Sequence, residues 1–149
     1  MRIGIARIGC GVALALLVGG AAAPLARAAD SKSSVEGKLG FLTGTGPMLE
    51  AKGRNIALSA RTSYLFHTLG DERLRNREVR LEGTRLPDGS FKVEQLLTVH
   101  NGKLFRVRYF CEVCNIEAYE PGICVCCQQP TELQEIPLAE KDQQVIVTK

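Results

Sequence analysis

The stretch of sequence that sets the fold is residues 77–110, REVRLEGTRLPDGSFKVEQLLTVHNGKLFRVRYF. Apolar and charged residues alternate along most of it, which is the period of a half-buried β-strand. Two turn sequences interrupt the alternation, Pro87-Asp-Gly89 and Asn101-Gly102. Because Asp-Gly and Asn-Gly tolerate the positive φ angles of tight hairpins, the stretch predicts a meander of three strands over residues 77–86, 90–100 and 103–110.

The chain before the meander is also rich in β-forming residues. Residues 35–42 predict a first strand, and Thr43-Gly-Thr-Gly-Pro47 is predicted to end it as a flexible connection without the Lys-Ser/Thr of a phosphate-binding loop. Residues 55–60 and 63–68 predict two further strands or one long bent strand. Residues 70–76 predict a single helical turn. The body, residues 35–110, is therefore predicted to be all-β.

The order of these elements resembles an OB-fold. The resemblance rests on the opening Val35-Glu-Gly37 and on residues 76–83, NREVRLEG, followed by Phe91-Lys-Val-Glu94. It implies a small barrel of five to six strands. A small β-sandwich or an SH3-like barrel is the alternative fold.

A cluster of cysteines follows the meander directly. Residues 109–130, YFCEVCNIEAYEPGICVCCQQP, contain two Cys-x2-Cys pairs, which we call the first knuckle (residues 111–114) and the second knuckle (residues 124–127). Two residues between thiolates let both sulfurs turn to one side of a tight loop, and two such pairs form the tetrahedral shell that zinc, or less often iron, prefers. A closed shell predicts one structural Zn²⁺ with the ligands Cys111, Cys114, Cys124 and Cys127.

The knuckle segment resembles zinc-ribbon and rubredoxin-type knuckles and, more closely, the bacterial heavy-metal-binding domain family. That family has Tyr-x-Cys-Pro-Met-His followed by Pro-Gly-x-Cys-Pro-x-Cys-Gly-Met. The matching positions here hold Tyr109, Cys111, Cys114 in place of His, Pro121, Gly122, Cys124 and Cys127. Glu112, Val113, Val125 and Gln128-Gln129 depart from the pattern, so a soft-metal role that depends on methionine is not carried over.

Other readings of the cysteines and histidines stay open. Cys126 is predicted to be a bystander rather than an alternative ligand. Disulfides are the main competitor of a metal, although five cysteines cannot all pair, and a thioredoxin-like dithiol would need a βαβ setting. His67 and His100 are predicted to be structural rather than metal ligands.

The first 28 residues read as a signal peptide. Arg2 and Arg7 precede the apolar residues 8–23, and Ala26-Arg-Ala28 supplies the small residues of a cleavage site. Cys10 lies too early in the apolar run for a lipoprotein. The mature chain is therefore predicted to be extracytoplasmic, periplasmic or secreted, without a permanent membrane span, and to begin with a disordered leader at residues 29–34. A permanent anchor is the alternative.

Charge limits the choice of partners. Of the 19 Lys and Arg residues, Arg2, Arg7 and Arg27 lie in the leader, so the mature chain has 16 basic against 16 acidic residues. Residues 52–108 hold 12 basic and 6 acidic residues, whereas residues 109–149 hold 2 and 7. A basic body with an acidic C-terminal part weakens the case for a bare nucleic-acid surface.

Three functions follow, in order of preference. The first is an exported, non-catalytic zinc-binding β-barrel that acts as a binding or adaptor module for an unknown protein or small molecule. The second is extracytoplasmic handling of zinc or a soft heavy metal. The third is nucleic-acid binding by the barrel through Arg73, Arg75, Arg77, Arg80, Arg106 and Arg108. No arrangement of Ser, His or acidic residues predicts an enzyme.

The tail, residues 131–149, contains Val145-Ile-Val147, which is predicted either to add a short strand or to dangle.

Overall fold

The computed structural model describes residues 32–42, 44 and 46–139. Within these residues the chain forms strands, one short α-helix, α1 (Ser63–Leu69), and one 3-10 helix (Glu72–Leu74). The strands are β1 (Lys32–Leu42), β2 (Gly46–Ala51), β3 (Arg54–Ala60), β4 (Glu78–Arg85), β5 (Phe91–His100), β6 (Lys103–Cys111), β7 (Ile116–Ala118) and β8 (Glu132–Pro137).

The first five strands close into a ring. β1 pairs antiparallel with both β2 and β4, and β4 pairs with β5. Residues 58–60 of β3 run parallel to residues 91–93 of β5 and complete the order β1-β2-β3-β5-β4. α1 lies between β3 and β4 in the chain. The predicted all-β, OB-fold-like barrel with a C-terminal cysteine cluster is confirmed.

The interior of the ring is apolar because the alternation of each strand points one set of side chains inward. In β4, Val79 and Leu81 are fully buried, whereas Glu78, the first residue of the strand, is exposed. The core consists of Leu39, Leu49, Ala51, Leu58, Leu69, Leu74, Val79, Leu81, Phe91, Val93 and Leu96.

Glycine is needed where β4 bends against β5. The register between these strands shifts between Glu82 and Gly83, which marks a bulge. A Cβ atom at Gly83 would lie 2.0 Å from the carbonyl oxygen of Lys92. Only glycine therefore lets the two backbones approach closely enough for the barrel to curve.

The main error of the sequence prediction is residues 63–68, which form helix α1 rather than a strand. Thr62 has extended backbone angles, and its hydroxyl accepts a hydrogen bond from the backbone N–H of Leu65 at 3.2 Å, so it caps the helix. Helical spacing then places Leu65 and Leu69 against the barrel core. Packing of this one face outweighs the β propensity of Tyr64 and Phe66.

The first strand and the connection that follows it also differ from the prediction. Lys32, Ser33 and Ser34, predicted as disordered leader, belong to β1 and pair with Thr84, Gly83 and Glu82. The predicted connection after β1 is shorter, because β2 begins at Gly46 and Pro47 pairs with Phe41. The predicted meander and the predicted helical turn are confirmed as β4-β5-β6 and the 3-10 helix.

The strands after the barrel extend its sheet. One edge of β6 pairs with β5 near the start of the strand and with β7 near its end, and the opposite edge pairs with β8. Residues 132–137 of the predicted tail are thus part of the sheet. Among the described helices, none has the length and apolar character required to cross a bilayer. The predicted signal peptide, residues 1–28, and the apolar residues 145–147 lie outside the described residues.

Candidate metal centre

The first knuckle is the turn of the hairpin between β6 and β7. β6 ends at Cys111, which pairs with Ile116 of β7. Asn115 closes the turn with a φ angle of 54°, a left-handed conformation that asparagine tolerates. The hairpin therefore delivers Cys111 from the end of a strand and Cys114 from the turn that follows it.

Backbone hydrogen bonds form the second knuckle. The N–H of Cys124 donates to the carbonyl oxygen of Gln129 at 2.7 Å, and the N–H of Gln128 donates to the carbonyl oxygen of Cys124 at 3.0 Å. Gln128 has a φ angle of 61°, and Ile123 forms a bridge with Pro130. This closed loop holds Cys124 and Cys127 on the same side of the chain.

The two knuckles bring four sulfurs together. The Sγ atoms of Cys111, Cys114, Cys124 and Cys127 all lie within 4.8 Å of one another, and those of Cys111 and Cys127 are 3.4 Å apart. A tetrahedral Zn–S₄ site with bonds of about 2.3 Å has sulfur–sulfur distances of about 3.8 Å. The cluster therefore has the size of a four-thiolate metal site and could bind a metal ion.

Burial differs among the thiols. Cys111 and Cys124 are each only 2% exposed, Cys114 and Cys127 are half-buried, and Cys126 is exposed. All five are free thiols in the structure. Cys126 lies outside the group of four sulfurs.

The pKa values of the thiols are compatible with a bound cation. The backbone N–H groups of Cys127 and Cys126 lower the pKa of Cys124 to about 7. Hydrogen bonds with the thiols of Cys126 and Cys127 raise the pKa of Cys114. The pKa of Cys111 is also raised, because burial and the neighbouring Cys127 and Cys124 thiols outweigh the N–H of Cys114. The first thiolate forms readily, but its charge repels the thiolates that would form next. A bound metal ion would therefore stabilise the fully deprotonated cluster.

A polar network attaches the second knuckle to the barrel. The N–H and the hydroxyl of Thr131 both donate to the carbonyl oxygen of Gly122, at 2.9 and 3.0 Å. The guanidinium of Arg73 donates to the carbonyl oxygen of Thr131 at 2.9 Å and, through Nε and Nη2, to the carboxylate of Asp71. Asp71 also accepts a hydrogen bond from the hydroxyl of Tyr109 at 2.9 Å. The loop that carries Cys124 is thus connected to the 3-10 helix and to β6.

The charge state of this network follows from its hydrogen bonds. Burial raises the pKa of Asp71, but the hydrogen bonds from Arg73 and Tyr109 outweigh burial and hold that pKa below its ordinary value. Burial and donation to Asp71 raise the pKa of Tyr109. At neutral pH the network therefore holds a carboxylate that accepts from a guanidinium and a neutral phenol.

Helix α1 contacts the loop between the knuckles. The side chains of His67 and Glu120 form an ion pair, and the rings of Tyr64 and Tyr119 lie 5.7 Å apart. The other histidine, His100 at the end of β5, contacts Glu135 of β8 at 2.8 Å. Neither histidine belongs to the sulfur cluster, and both pair with a carboxylate.

Most of the arginines proposed for nucleic acid are paired with acidic side chains. The pairs are Arg73–Asp71, Arg75–Glu72, Arg77–Glu135, Arg80–Glu36 and Arg108–Glu117. Within the described part of the chain, Arg106 alone of the six has no such partner. Five of these six arginines are therefore engaged with acidic side chains rather than free to contact a phosphate backbone.

Comparison with protein-family models, with curated proteins and with solved structures finds no match to this chain. The sequence predicts the four clustered cysteines but does not indicate Asp71, Arg73 and Thr131 as their support. Asp71 has a local signal, because it caps the 3-10 helix. The contact between Arg73 and Thr131 spans 58 residues and has no such signal.

Replacing Cys126 with serine should leave metal binding intact. The other four sulfurs already form the compact group, and the Cys126 side chain is exposed. We expect the variant to bind about one equivalent of zinc and to melt within about 2 °C of the wild type. Elemental analysis and circular dichroism measure both quantities. Loss of the zinc from this variant would show that Cys126 is a metal ligand.

The pair between Glu135 and His100 should make stability depend on pH. Burial raises the pKa of Glu135, but the hydrogen bond from His100 and the nearby Arg77 hold it below the ordinary value of 4.5. A lowered folded-state pKa stabilises the fold above pH 4.5, and that stabilisation is lost as the pH falls through the folded-state pKa.

We therefore expect Glu135→Gln to lower the free energy of unfolding by roughly 1 kcal/mol at pH 6 and by less at pH 3. Urea unfolding of wild type and variant at both pH values measures the difference. Acid would release a bound metal from both proteins. The difference in unfolding free energy between wild type and variant therefore reports the contribution of the Glu135 carboxylate. An equal cost at the two pH values would contradict the assignment.

Proposed function

We propose that the mature chain is an exported, non-catalytic binding or adaptor module whose single zinc ion is structural. The observation that carries the proposal is the group of four cysteine sulfurs within 4.8 Å of one another. Four thiolates at Cys-x2-Cys spacing are the donor set of structural zinc sites, and iron is the less favoured occupant. Four protein ligands leave no coordination position for a substrate or a reactive water.

The position of the cluster supports a structural role for the metal. Within the segment 112–131, the buried residues are Cys124 and Thr131. Apart from its sulfurs, the segment therefore buries few apolar side chains. Such a segment gains little from the hydrophobic effect. A zinc ion would supply the missing stabilisation and would fix both knuckles against β6.

Export is the part of the proposal that rests on sequence. Residues 1–28 have the charged start, the apolar run and the small-residue cleavage site of a signal peptide. In an oxidising compartment a bound metal would also protect the thiols from oxidation.

Metal handling is the second candidate, and the exposure of the thiols favours it. Cys114 and Cys127 are half-buried, and the exposed Cys126 is close enough to hydrogen-bond with Cys114. A chelator or a second protein could therefore reach the cluster from this side. In that case Cys126 would receive or release the metal.

Exchange kinetics separate the two candidates. The zinc-loaded protein is mixed with a coloured chelator, and metal release is compared with global unfolding measured by circular dichroism. A structural ion should leave only as fast as the knuckles open, and chelation should lower the melting temperature. Rapid release with an unchanged melting temperature would instead establish metal handling.

A further inference from the structure

The exposed apolar side chains of this protein are concentrated in one region. Among the described residues, the large hydrophobic side chains that are exposed all belong to α1 or to residues 113–125, and the barrel strands contribute none. They are Tyr64, Phe66, Val113, Ile116, Tyr119, Ile123 and Val125. Scattered single apolar residues are ordinary, but a set restricted to one region of a protein indicates an interaction site.

Three of these side chains belong to residues that are next to a cysteine of the knuckles in the chain. Val113 precedes Cys114, Ile123 precedes Cys124, and Val125 lies between Cys124 and Cys126. Val113 is 73% exposed and Val125 is 88% exposed. Tyr119, 84% exposed, contacts Tyr64 of α1. We call Tyr64, Val113, Tyr119, Ile123 and Val125 the knuckle surface.

The knuckle surface lies in an acidic environment. Residues 109–139 contain five glutamates, of which Glu117, Glu120 and Glu135 pair with arginine or histidine side chains. Glu112 and Glu132 are exposed and form no ion pair among the described residues. Four thiolates around one Zn²⁺ add a formal charge of about −2. An occupant of this surface must therefore tolerate or neutralise negative charge.

We propose that the knuckle surface docks a protein segment in which apolar side chains are flanked by lysine or arginine. The apolar residues would cover Val113, Ile123 and Val125, and the basic residues would face Glu112 and the thiolate cluster. The inference rests on the proposed function, because it names the partner of the zinc-fixed knuckles. Charge complementarity selects this occupant over the others.

The alternatives are disfavoured by the same charges. A nucleic acid or an anionic membrane would bring negative charge to an acidic surface. A symmetric dimer would place the glutamates of two copies against each other. A head-to-tail contact would place the knuckle surface on a second barrel, whose described strands β1–β5 expose no large apolar side chain.

The test uses the zinc-loaded mature chain and two fluorescent peptides. In one peptide leucine alternates with lysine, and in the other glutamate replaces lysine. The variants are Val113→Ser/Val125→Ser on the knuckle surface and, as a barrel control, Val99→Ser at the half-buried Val99 of β5. Glu112→Lys and its barrel control Glu78→Lys test the charge. Zinc content is measured in every sample.

We expect the lysine peptide to bind at least about tenfold more tightly than the glutamate peptide. The double valine variant should weaken this binding by on the order of tenfold, and Glu112→Lys by about threefold with a smaller salt dependence. The barrel controls should bind like the wild type, and all samples should retain their zinc.

Several results would overturn the inference. One is equal binding of the two peptides, and another is equal binding by the double variant and Val99→Ser. Tighter binding to anionic vesicles than to the lysine peptide would identify a membrane, rather than a protein segment, as the partner. Self-association of the wild type that the double valine variant abolishes would identify a second copy of this chain as the partner. Zinc-loaded protein that fails to bind contradicts only this inference, whereas protein without zinc contradicts the proposed function.

Discussion

Replacing Cys124 with serine should abolish stoichiometric metal binding. Cys124 is buried among the four sulfurs, and its pKa of about 7 makes it the thiol that most readily provides a thiolate. Structural zinc contributes about 10–16 kcal/mol of apparent binding energy in small zinc domains, and replacing a thiolate by a hydroxyl removes one of the four strong ligands that supply it. We expect bound zinc to fall below about a tenth of an equivalent.

The same variant should unfold the knuckles but leave the barrel folded. None of the core residues shared by β1–β5 and α1 is a cysteine. We therefore expect proteolytic cleavage and fast amide exchange across residues 112–131, with slow exchange retained in β1–β5. Cys126→Ser is the matched control. A Cys124→Ser protein with a full equivalent of zinc and protected knuckles would contradict the ligand assignment.

Replacing Asp71 with asparagine should loosen the attachment between barrel and knuckles. The Asp71 side chain is only 6% exposed, whereas the guanidinium side chain of Arg73 is 43% exposed. Asparagine keeps the shape but loses the charge that accepts from Arg73 and Tyr109. Because water can still reach Arg73, we expect a cost of about 2–3 kcal/mol rather than that of a fully buried pair. The melting temperature should fall by roughly 10 °C.

An aspartate in an exposed turn provides the control for Asp71. Asp88 accepts hydrogen bonds from the N–H and the hydroxyl of Ser90, and it faces solvent. Asp88→Asn should therefore change stability little. Urea unfolding of the zinc-loaded proteins measures both variants. Equal stability of the two variants would mean that the network around Asp71 does not hold the knuckles.

The parts of the structure that sequence could predict are those with local signals. The β4-β5-β6 meander follows from strict alternation and from Asp88-Gly89 and Asn101-Gly102, both of which contain a glycine with positive φ. The proximity of the four cysteines follows from Cys-x2-Cys spacing and from the turn at Asn115. In each case residues close in the chain determine the geometry.

The parts that sequence missed depend on contacts between distant residues. Residues 63–68 have β-forming side chains, yet the cap at Thr62 and the burial of Leu69 in the barrel make them helical. β8 is stabilised by pairing with β6, about 26 residues earlier in the chain, for example at Arg108–Gln134. Such pairing leaves no periodic pattern strong enough to read from residues 132–137 alone.

The most direct test of the structural zinc site is the intact mass of the mature chain purified without reductant. Native mass spectrometry should show one bound zinc ion per chain. After acid removal of the metal, the chain should have the mass of five free thiols, the state found for all five cysteines in the structure. A mass short by about four hydrogens, two for each of two disulfides, with no bound zinc, would contradict the account.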